Sequence, residues 1–490
     1  MITASMLYDL VECPHRPSMD LFADPLKRDK LSPFVQLLWE KGTAYEQEVI
    51  AGLDIPFLDL TPYSMEEKEI KTHEAIENKE PLIYRGRISA DDLLGEPDLL
   101  RLEEDGYVAG DIKSGSGEEG GEDDPRPKKH YAVQLALYTD ILERKQLSTR
   151  REPFVWDIRG LEVTYALDEL TGKKDPTTLW EIYEEKLDEA RRIVNQAGKS
   201  IPAYSSKCKL CHWKTECLKT LEKSDDLTLL PGLGRTKRDV LLNEIKTVED
   251  LANTPIEPFI EGRGTIFRGI GIKTLEKFKA RADLVKSQNA EPYLTEPVNL
   301  PVSERELFFD IEVDPMQDFC YLHGFVERSK SDNSTERYVA FYATELSNAA
   351  EEKAFADALN YIRQNQPCTI YYYSKYERTM WRKLQLKYPD ACNAEEIETL
   401  FAPGSSIDLL DVVRKYTEWP TRDHSIKTLA QYLMFKWRDT DPSGAASIEW
   451  FQRWSENKDQ KIKQRILQYN EDDCLATRVL LDKIKKLKVI

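Results

Sequence analysis

The stretch from Gly95 to Tyr138 leaves this chain the least freedom. It reads G-E-P-D-L-L-R-L-E-E-D-G-Y-V-A-G-D-I-K-S-G, then a glycine- and acid-rich loop, then Y-A-V-Q-L-A-L-Y. Leu99 to Leu102 and Tyr107 to Ile112 read as short strands, and Glu103 to Gly106 supplies turn residues for a hairpin between them. Asp98 enters the first strand. Asp111 and Lys113 lie two apart on the second, so their side chains leave the same face. A helix follows, with Gln134 and Tyr138 one turn apart on one side. Two carboxylates and an ammonium therefore converge. Carboxylates hold Mg²⁺ or Mn²⁺, the metal activates water and stabilises developing charge, and a lysine orients or polarises the attacking water. That is equipment for phosphodiester hydrolysis.

Taken singly, an Asp or a Lys on a hairpin is ordinary. The joint pattern P-D, D-x-K and Q-x-x-x-Y resembles the RecB-type branch of the PD-(D/E)xK nucleases. That family also carries an acidic residue or histidine on an earlier helix, in a G-x-x-x-H frame. Here the frame is Gly42-Thr43-Ala44-Tyr45-Glu46, within an amphipathic helix expected over Leu31 to Leu53. Glu46 stands where histidine is usual. A carboxylate also ligates a hard cation, so the resemblance implies Glu46 as a metal ligand beside Asp98 and Asp111. It implies Gln134 and Tyr138 as substrate contacts.

Near the start, Ser5 is the expected N-cap of a first helix with an apolar stripe of Met6, Leu7, Leu10 and Val11. A further strand is expected over Phe154 to Tyr165, and a charged amphipathic helix from Thr178 to Ala197. After it comes C-K-L-C-H-W-K-T-E-C, which places Cys208, Cys211 and Cys217 in a C-x2-C-x5-C spacing. Cys13, at the far end of the domain, offers a fourth thiol. Four thiolates suit tetrahedral zinc or a [4Fe–4S] cluster. One distant cysteine meeting a close triplet resembles the iron–sulfur staple of AddB-like and CRISPR-adaptation nucleases of the RecB type. The resemblance implies a [4Fe–4S] cluster, with zinc the alternative, closing a large loop in a structural role. Cys320, Cys368, Cys392 and Cys474 have no ligand-like spacing.

Two glycine turns follow. L-L-P-G-L-G-R-T-K-R-D-V-L-L holds Gly232 and Gly234, and R-G-I-G-I-K-T-L-E-K-F holds Gly269 and Gly271. Both resemble helix-hairpin-helix modules, in which backbone N–H groups approach a phosphate at a helix start. Arg235, Lys237 and Arg238 follow the first turn, and Lys273, Lys277 and Lys279 the second. They form a candidate patch for sequence-independent nucleic-acid contact. Pro292 to Pro301 reads as a linker.

A second centre is expected near the C-terminus. In E-L-F-F-D-I-E-V, Asp310 and Glu312 share one strand face. C-T-I-Y-Y-Y runs into S-K-Y-E, with Glu377 near a helix start, and S-I-D-L-L-D-V-V reads as a strand or strand end carrying Asp408. In Q-Y-N-E-D-D-C-L, Tyr469 and Asp473 lie four apart on a helix, and Asp472 reads as helix surface. Carboxylates from a strand and two helices suit two divalent cations. The set resembles the Y-x-x-x-D version of the DEDD exonucleases, which have the ribonuclease H-like fold. The resemblance implies Asp310, Glu312, Glu377 and Asp473 as metal ligands, with Asp408 as fallback, and Tyr469 as the group positioning the water.

The expected architecture is α/β in three parts. Residues 1–222 form a restriction-endonuclease-like PD-(D/E)xK nuclease with its cysteine site. Residues 223–291 form a small all-α helix-hairpin-helix region, and residues 292–490 a ribonuclease H-like 3′–5′ exonuclease-type domain. At 490 residues the chain is long enough for several cores. It has no run of 18 apolar residues and starts without a basic-then-apolar segment, so the expected compartment is the cytoplasm, with no membrane partner. The net charge of −18 excludes a protein that coats nucleic acid indiscriminately, but not a nuclease with local basic patches. DNA, as single-stranded or duplex ends, is the expected substrate, and RNA the alternative for the C-terminal centre. A binding or scaffolding protein with an unused centre is the rival. No G-x-x-x-x-G-K-[ST] loop is present, so unwinding falls to a partner such as a helicase or a repair or defence factor.

Overall fold

The computed structural model describes residues 1–120, 125–148, 150–172, 176–196, 200–440 and 442–490. The chain divides into two compact units. One comprises Met1–Pro202 with Ser206–Leu218, and the other Ala203–Ser205 with Lys219–Ile490. Both mix helices and sheet.

In the first unit, helices α1 (Ala4–Glu12) and α2 (Pro33–Ala51) precede strands β1 (Leu58–Asp59), β2 (Leu82–Tyr84), β3 (Leu99–Glu103) and β4 (Gly106–Ile112). Helix α3 (Lys129–Arg144), strands β5 (Phe154–Trp156) and β6 (Glu162–Thr164), and helix α4 (Leu179–Val194) complete the unit's main frame. The sheet order is β6-β5-β4-β3-β2-β1. The expected hairpin is β3-β4, antiparallel with Leu99 opposite Gly110. β5 then joins β4 in parallel, with Val155 opposite Asp111. α3 is almost wholly buried, and its Val133, Leu137 and Ile141 pack with Leu7 and Leu10 of α1 and with Tyr183 and Leu187 of α4. Three boundaries differ from the sequence reading. Thr3, not Ser5, caps α1, accepting from the Met6 amide. The strand expected over Phe154 to Tyr165 is a hairpin, because Asp157 accepts amide hydrogen bonds from Arg159 and Leu161 and Gly160 adopts a positive φ. α4 starts at its Thr178 cap, with a capping box, and ends at Val194 with Asn195 as C-cap, while the expected end at Ala197 lies outside the described residues.

The second unit begins with a small helical region. Helices α5 (Arg235–Leu241) and α6 (Ile272–Lys286) gather a core of Leu233, Leu241, Ile270, Leu275 and Phe278. A five-stranded sheet follows, made of β7 (Arg305–Asp314), β8 (Phe319–Ser329), β9 (Asp332–Tyr342), β10 (Thr369–Tyr372) and β11 (Ser406–Asp408). Its order is β9-β8-β7-β10-β11. Helices α7 (Asn348–Gln364), α8 (Tyr376–Lys387), α9 (Leu409–Tyr416), α10 (Ile426–Tyr432), α11 (Gly444–Asn457) and α12 (Gln460–Ile484) cover it. Strand alternation assigns the faces of β7. Leu307, Phe309 and Ile311 pack with Phe355 of α7 and Trp381 of α8, while Phe308 packs with Leu480 and Leu481 of α12. Asp310 and Glu312 therefore share the α12 face. The segment read as a linker is partly built in, since Tyr293–Leu294 pairs with Thr417–Glu418. No described helix is long and apolar enough to cross a membrane.

Candidate active sites

The second unit holds the tighter acidic cluster. One carboxylate oxygen from each of Asp310, Glu312 and Asp473 lies within 4.8 Å of the others. Each side chain is oriented by a donor. Asn470 Nδ2 donates to Asp310 Oδ2 at 2.7 Å, and Trp437 Nε1 to Asp473 Oδ1 at 2.7 Å. The Tyr321 hydroxyl lies 3.4 Å from Glu312 Oε2. Burial, then the neighbouring Asp473, Glu312 and Glu377 charges, push the Asp310 pKa well above its ordinary value. Burial and Asp473 raise Glu312 likewise. Burial also raises Asp473, although Lys427 opposes it. Three carboxylates that repel one another in a desolvated site form the donor set a hard divalent cation fits.

Tyr469 is buried, and Lys427 Nζ donates to its hydroxyl at 2.9 Å. Glu377 is buried at the start of α8, and burial lifts its pKa to about 8. It falls outside the 4.8 Å group among the described residues. Ser374, at φ +122, turns the chain from β10 into α8 and lies 3.4 Å from Glu377. The fallback Asp408 is otherwise engaged. It caps α9, with Oδ1 accepting from the Leu410 amide at 2.9 Å and the Ser374 amide at 3.1 Å. Asp472 is not the surface residue expected. It is buried, and it accepts from the Arg438 amide at 2.8 Å and from Arg438 Nε at 2.9 Å.

In the first unit, the hairpin brings Asp98, Asp111 and Lys113 together. Asp98 Oδ2 accepts from the Ile112 amide at 2.9 Å, and Lys113 Nζ lies 2.7 Å from Asp111 Oδ2. That oxygen is buried and receives no aligned hydrogen bond, so it retains a lone pair for a cation. Burial and the Asp111 charge raise the Asp98 pKa. For Lys113, burial pulls downward but Asp111 and Asp98 outweigh it, and the ammonium is held charged. Glu46 is buried on α2 and reaches the same place, but its oxygens are occupied. The Tyr84 hydroxyl donates to Oε1 at 2.7 Å, Arg85 Nε donates to Oε1 at 2.6 Å, and Arg85 Nη2 closes on Oε2.

The Gln134 Oε1 is buried without a partner. Tyr138 is 4% exposed, packs against Gly95 and points its hydroxyl at the Glu96 carbonyl at 3.5 Å. Its ring is therefore part of the core behind the acidic pair.

Two nuclease superfamily domains share this chain. Residues 20–218 match the family model of the PD-(D/E)XK nuclease superfamily, and residues 307–485 match that of the RNase_H superfamily. No curated protein matches the chain.

Within the PD-(D/E)XK match and just before it, Cys13, Cys208, Cys211 and Cys217 are half-buried. Burial, then the charges of Cys211, Cys13 and Cys208, push the Cys217 thiol up to about 12, so the four sulfurs share one neighbourhood. Thiols lose their protons to a metal they bind, but among the described residues the four sulfurs do not form a donor group within 4.8 Å as Asp310, Glu312 and Asp473 do. Residues outside any motif's fixed positions tie the two segments. Asp20 accepts from His212 Nε2 at 2.7 Å and from Trp213 Nε1 at 2.8 Å.

The two glycine turns have the same backbone form. Gly232 and Gly269 adopt φ +77 and +78, and Gly234 and Gly271 cap α5 and α6. A Cβ at Gly234, Gly269 or Gly271 would meet nothing within 4 Å, so these turns are open. The basic patch is smaller than expected. Arg238 is buried against Asp226, Lys277 bonds the Arg414 carbonyl and Lys279 bonds Asp283. Lys237 Nζ bonds the Gly232 carbonyl at 3.1 Å, while Arg235 opens α5 and Lys273 is exposed on α6.

Proposed function

We propose that the protein is a Mg²⁺- or Mn²⁺-dependent nuclease with two phosphodiester-hydrolysing centres, acting on DNA and preferring single-stranded ends. The Asp310, Glu312 and Asp473 triad, half-buried to buried and with three oxygens inside 4.8 Å, is the observation that carries this reading. A divalent ion held there supplies water activation and charge stabilisation. The protein's own groups do the positioning. Asn470 and Trp437 fix the carboxylate rotamers, and Lys427 sets the Tyr469 hydroxyl, which orients the attacking water. Glu377 adds charge at the edge of this set. In the first centre Asp98 and Asp111 hold the ion, Lys113 orients the water, and Gln134 stands beside it.

The same reading divides the chain at residues 1–222, 223–291 and 292–490. The Cys13, Cys208, Cys211 and Cys217 thiols hold a [4Fe–4S] cluster that closes the first domain. The Gly232–Gly234 and Gly269–Gly271 turns, with Arg235, Lys237 and Lys273, contact phosphates as helix-hairpin-helix modules.

The test is cleavage of end-labelled single- and double-stranded DNA and RNA by anaerobically purified full-length protein, in Mn²⁺ or EDTA. The expected result is metal-dependent cleavage, with Lys113→Ala and Asp310→Ala each losing one product ladder. Cleavage unchanged in the double variant Asp111→Ala/Asp310→Ala would refute the reading. A nucleic-acid-binding protein whose first centre does not cleave is the second reading. The hold of Arg85 on Glu46 and Asp98 favours it, and metal-dependent binding without product at that centre would establish it.

A further inference from the structure

Glu46 stands where a metal ligand is expected, yet the protein has already filled it. Three donors from two residues reach its two oxygens, and two of those donors are the fork of Arg85. A bidentate guanidinium–carboxylate pair is among the strongest and most directional contacts a protein makes. It leaves Glu46 little capacity to serve a cation.

Arg85 is also built into place by the backbone. Its φ of +58 is a left-handed conformation that a non-glycine residue adopts only when its surroundings impose it. Here the imposition is visible. Arg85 follows β2 directly, its amide donates to the Asp98 carbonyl at 2.8 Å, and this turn sends its side chain back over Glu46. Its third nitrogen, Nη1, stands 3.4 Å from Asp98 Oδ1. The Arg85 side chain is 38% exposed, against 9% for Glu46 and 12% for Asp98. The guanidinium thus lies between the buried acids and solvent.

We propose that Arg85, seated on Glu46 and Tyr84, receives the scissile phosphodiester in the first centre, and that Glu46 is its seat rather than a metal ligand. This rests on the nuclease reading above. Nη1 lies against Asp98. Were Asp98 and Asp111 to hold a divalent ion, Nη1 would leave Asp98 for a phosphate oxygen, while the other two nitrogens stay on Glu46. Arg85 is then a substrate-binding residue, and Glu46 and Tyr84 are positioning residues acting through it.

The experiment uses the full-length protein in an Asp310→Ala background, so that the first centre is read alone. Mn²⁺ binding is followed by the paramagnetic resonance of free Mn²⁺. Binding of a labelled DNA oligonucleotide is followed by fluorescence polarisation. Arg85→Gln is expected to tighten Mn²⁺, because a competing cation leaves Asp98, and to weaken DNA by about tenfold or more. Arg85→Lys restores part of the DNA affinity, since it keeps the charge and loses the fork. Glu46→Gln leaves Mn²⁺ affinity unchanged and weakens DNA. Tyr84→Phe, a variant that keeps the packing, weakens DNA by a smaller factor at unchanged Mn²⁺ affinity. Loss of the Mn²⁺ ion in Glu46→Gln, with both affinities unaltered in Arg85→Gln, would overturn the inference alone. A first centre that binds no Mn²⁺ even with Glu46 and Arg85 intact would overturn it together with the nuclease reading of that centre.

Discussion

Gly324 faces Asp310 directly across the β7-β8 ladder, and Gly324→Ala tests whether the second centre is packed as tightly as its geometry implies. The conformation of Gly324 is not the reason for glycine here. A Cβ at this position would fall inside the van der Waals surface of Asn470 Oδ1, 2.8 Å from Asn470 Cγ and 3.0 Å from the Tyr338 hydroxyl. Those two groups form the chain that holds Asp310, with Tyr338 donating to Asn470 and Asn470 to Asp310. Asn470 is fully buried in the middle of α12, and the next turn is fixed by Cys474 against the Gly324 carbonyl at 3.5 Å. The helix cannot retreat locally. Overpacking costs about 1–3 kcal/mol, and losing a hydrogen bond to a buried carboxylate costs about 1.5–3 kcal/mol. The expected loss is therefore about 3–5 kcal/mol, or roughly 10 °C in the melting of this unit. A double-mutant cycle with Asn470→Ala isolates the cause. Once the amide is gone, Gly324→Ala should cost under about 1 kcal/mol, a coupling of at least about 2 kcal/mol. Circular dichroism under urea and heat measures both. A Gly324→Ala loss below about 1 kcal/mol, or equal losses in the two backgrounds, would refute the argument.

The remaining expectations concern charge, catalysis and the cysteines. Glu377 titrates at about 8 when folded against an ordinary 4.5, so the folded state holds the proton more tightly and its stability falls as pH rises through that window. Glu312 of the triad is likewise raised to about 8, by burial and the Asp473 charge, and a divalent cation there offsets that repulsion, so the rise in melting temperature on adding Mn²⁺ should be larger at pH 8 than at pH 6, and equal shifts would count against a metal there. Lys427→Met and Tyr469→Phe should each slow the second centre by roughly a hundredfold, with the double variant no slower than either, because the two groups act as one unit. Rates that multiply would separate them. Cys13→Ser should remove the visible absorbance and the iron of anaerobically purified protein, while the Asp20 bonds to His212 and Trp213 keep the first unit folded. Zinc in place of iron would correct the cluster assignment.

What the sequence could show was local. E-E-D-G between two alternating apolar runs can hardly be other than a hairpin, and the period of two placed Asp310 and Glu312 on one face before any partner was known. S-I-D-L-L-D-V-V reads as a strand or strand end, because periodicity alone does not tell a short apolar run from a helix start. The fold uses it as both, with Asp408 as the cap at the change, which explains why that carboxylate is not spare. The residues that escaped notice act at a distance. Lys427 meets Tyr469 across 42 positions, and Arg85 meets Glu46 across 39. Neither sits in a motif or at a telling period. Arg238 and Lys277 looked like a basic patch because sequence shows charge but not the carboxylates that tertiary packing brings to it.

The two centres differ in how their charge is balanced, and this sets an order of metal loading. In the first, Glu46, Asp98 and Asp111 are met by two cations, Arg85 and Lys113, within direct contact. In the second, Asp310, Glu312 and Asp473 draw together with the Glu377 charge nearby, and Lys427 bonds the Tyr469 hydroxyl beside them. Opposite charges a few ångströms apart in a partly desolvated site interact by several kcal/mol at an effective dielectric near 20. An incoming divalent ion must displace such contacts in the first centre, whereas in the second the opposing Lys427 ammonium bonds Tyr469 rather than a triad carboxylate and need not be displaced. Mn²⁺ should therefore fill the second centre at a concentration about tenfold or more below the first. Titrating Asp310→Ala and Asp98→Ala variants separately, each retaining one centre, reads the two affinities. A tighter first centre would mean that geometry, not charge balance, governs the ion.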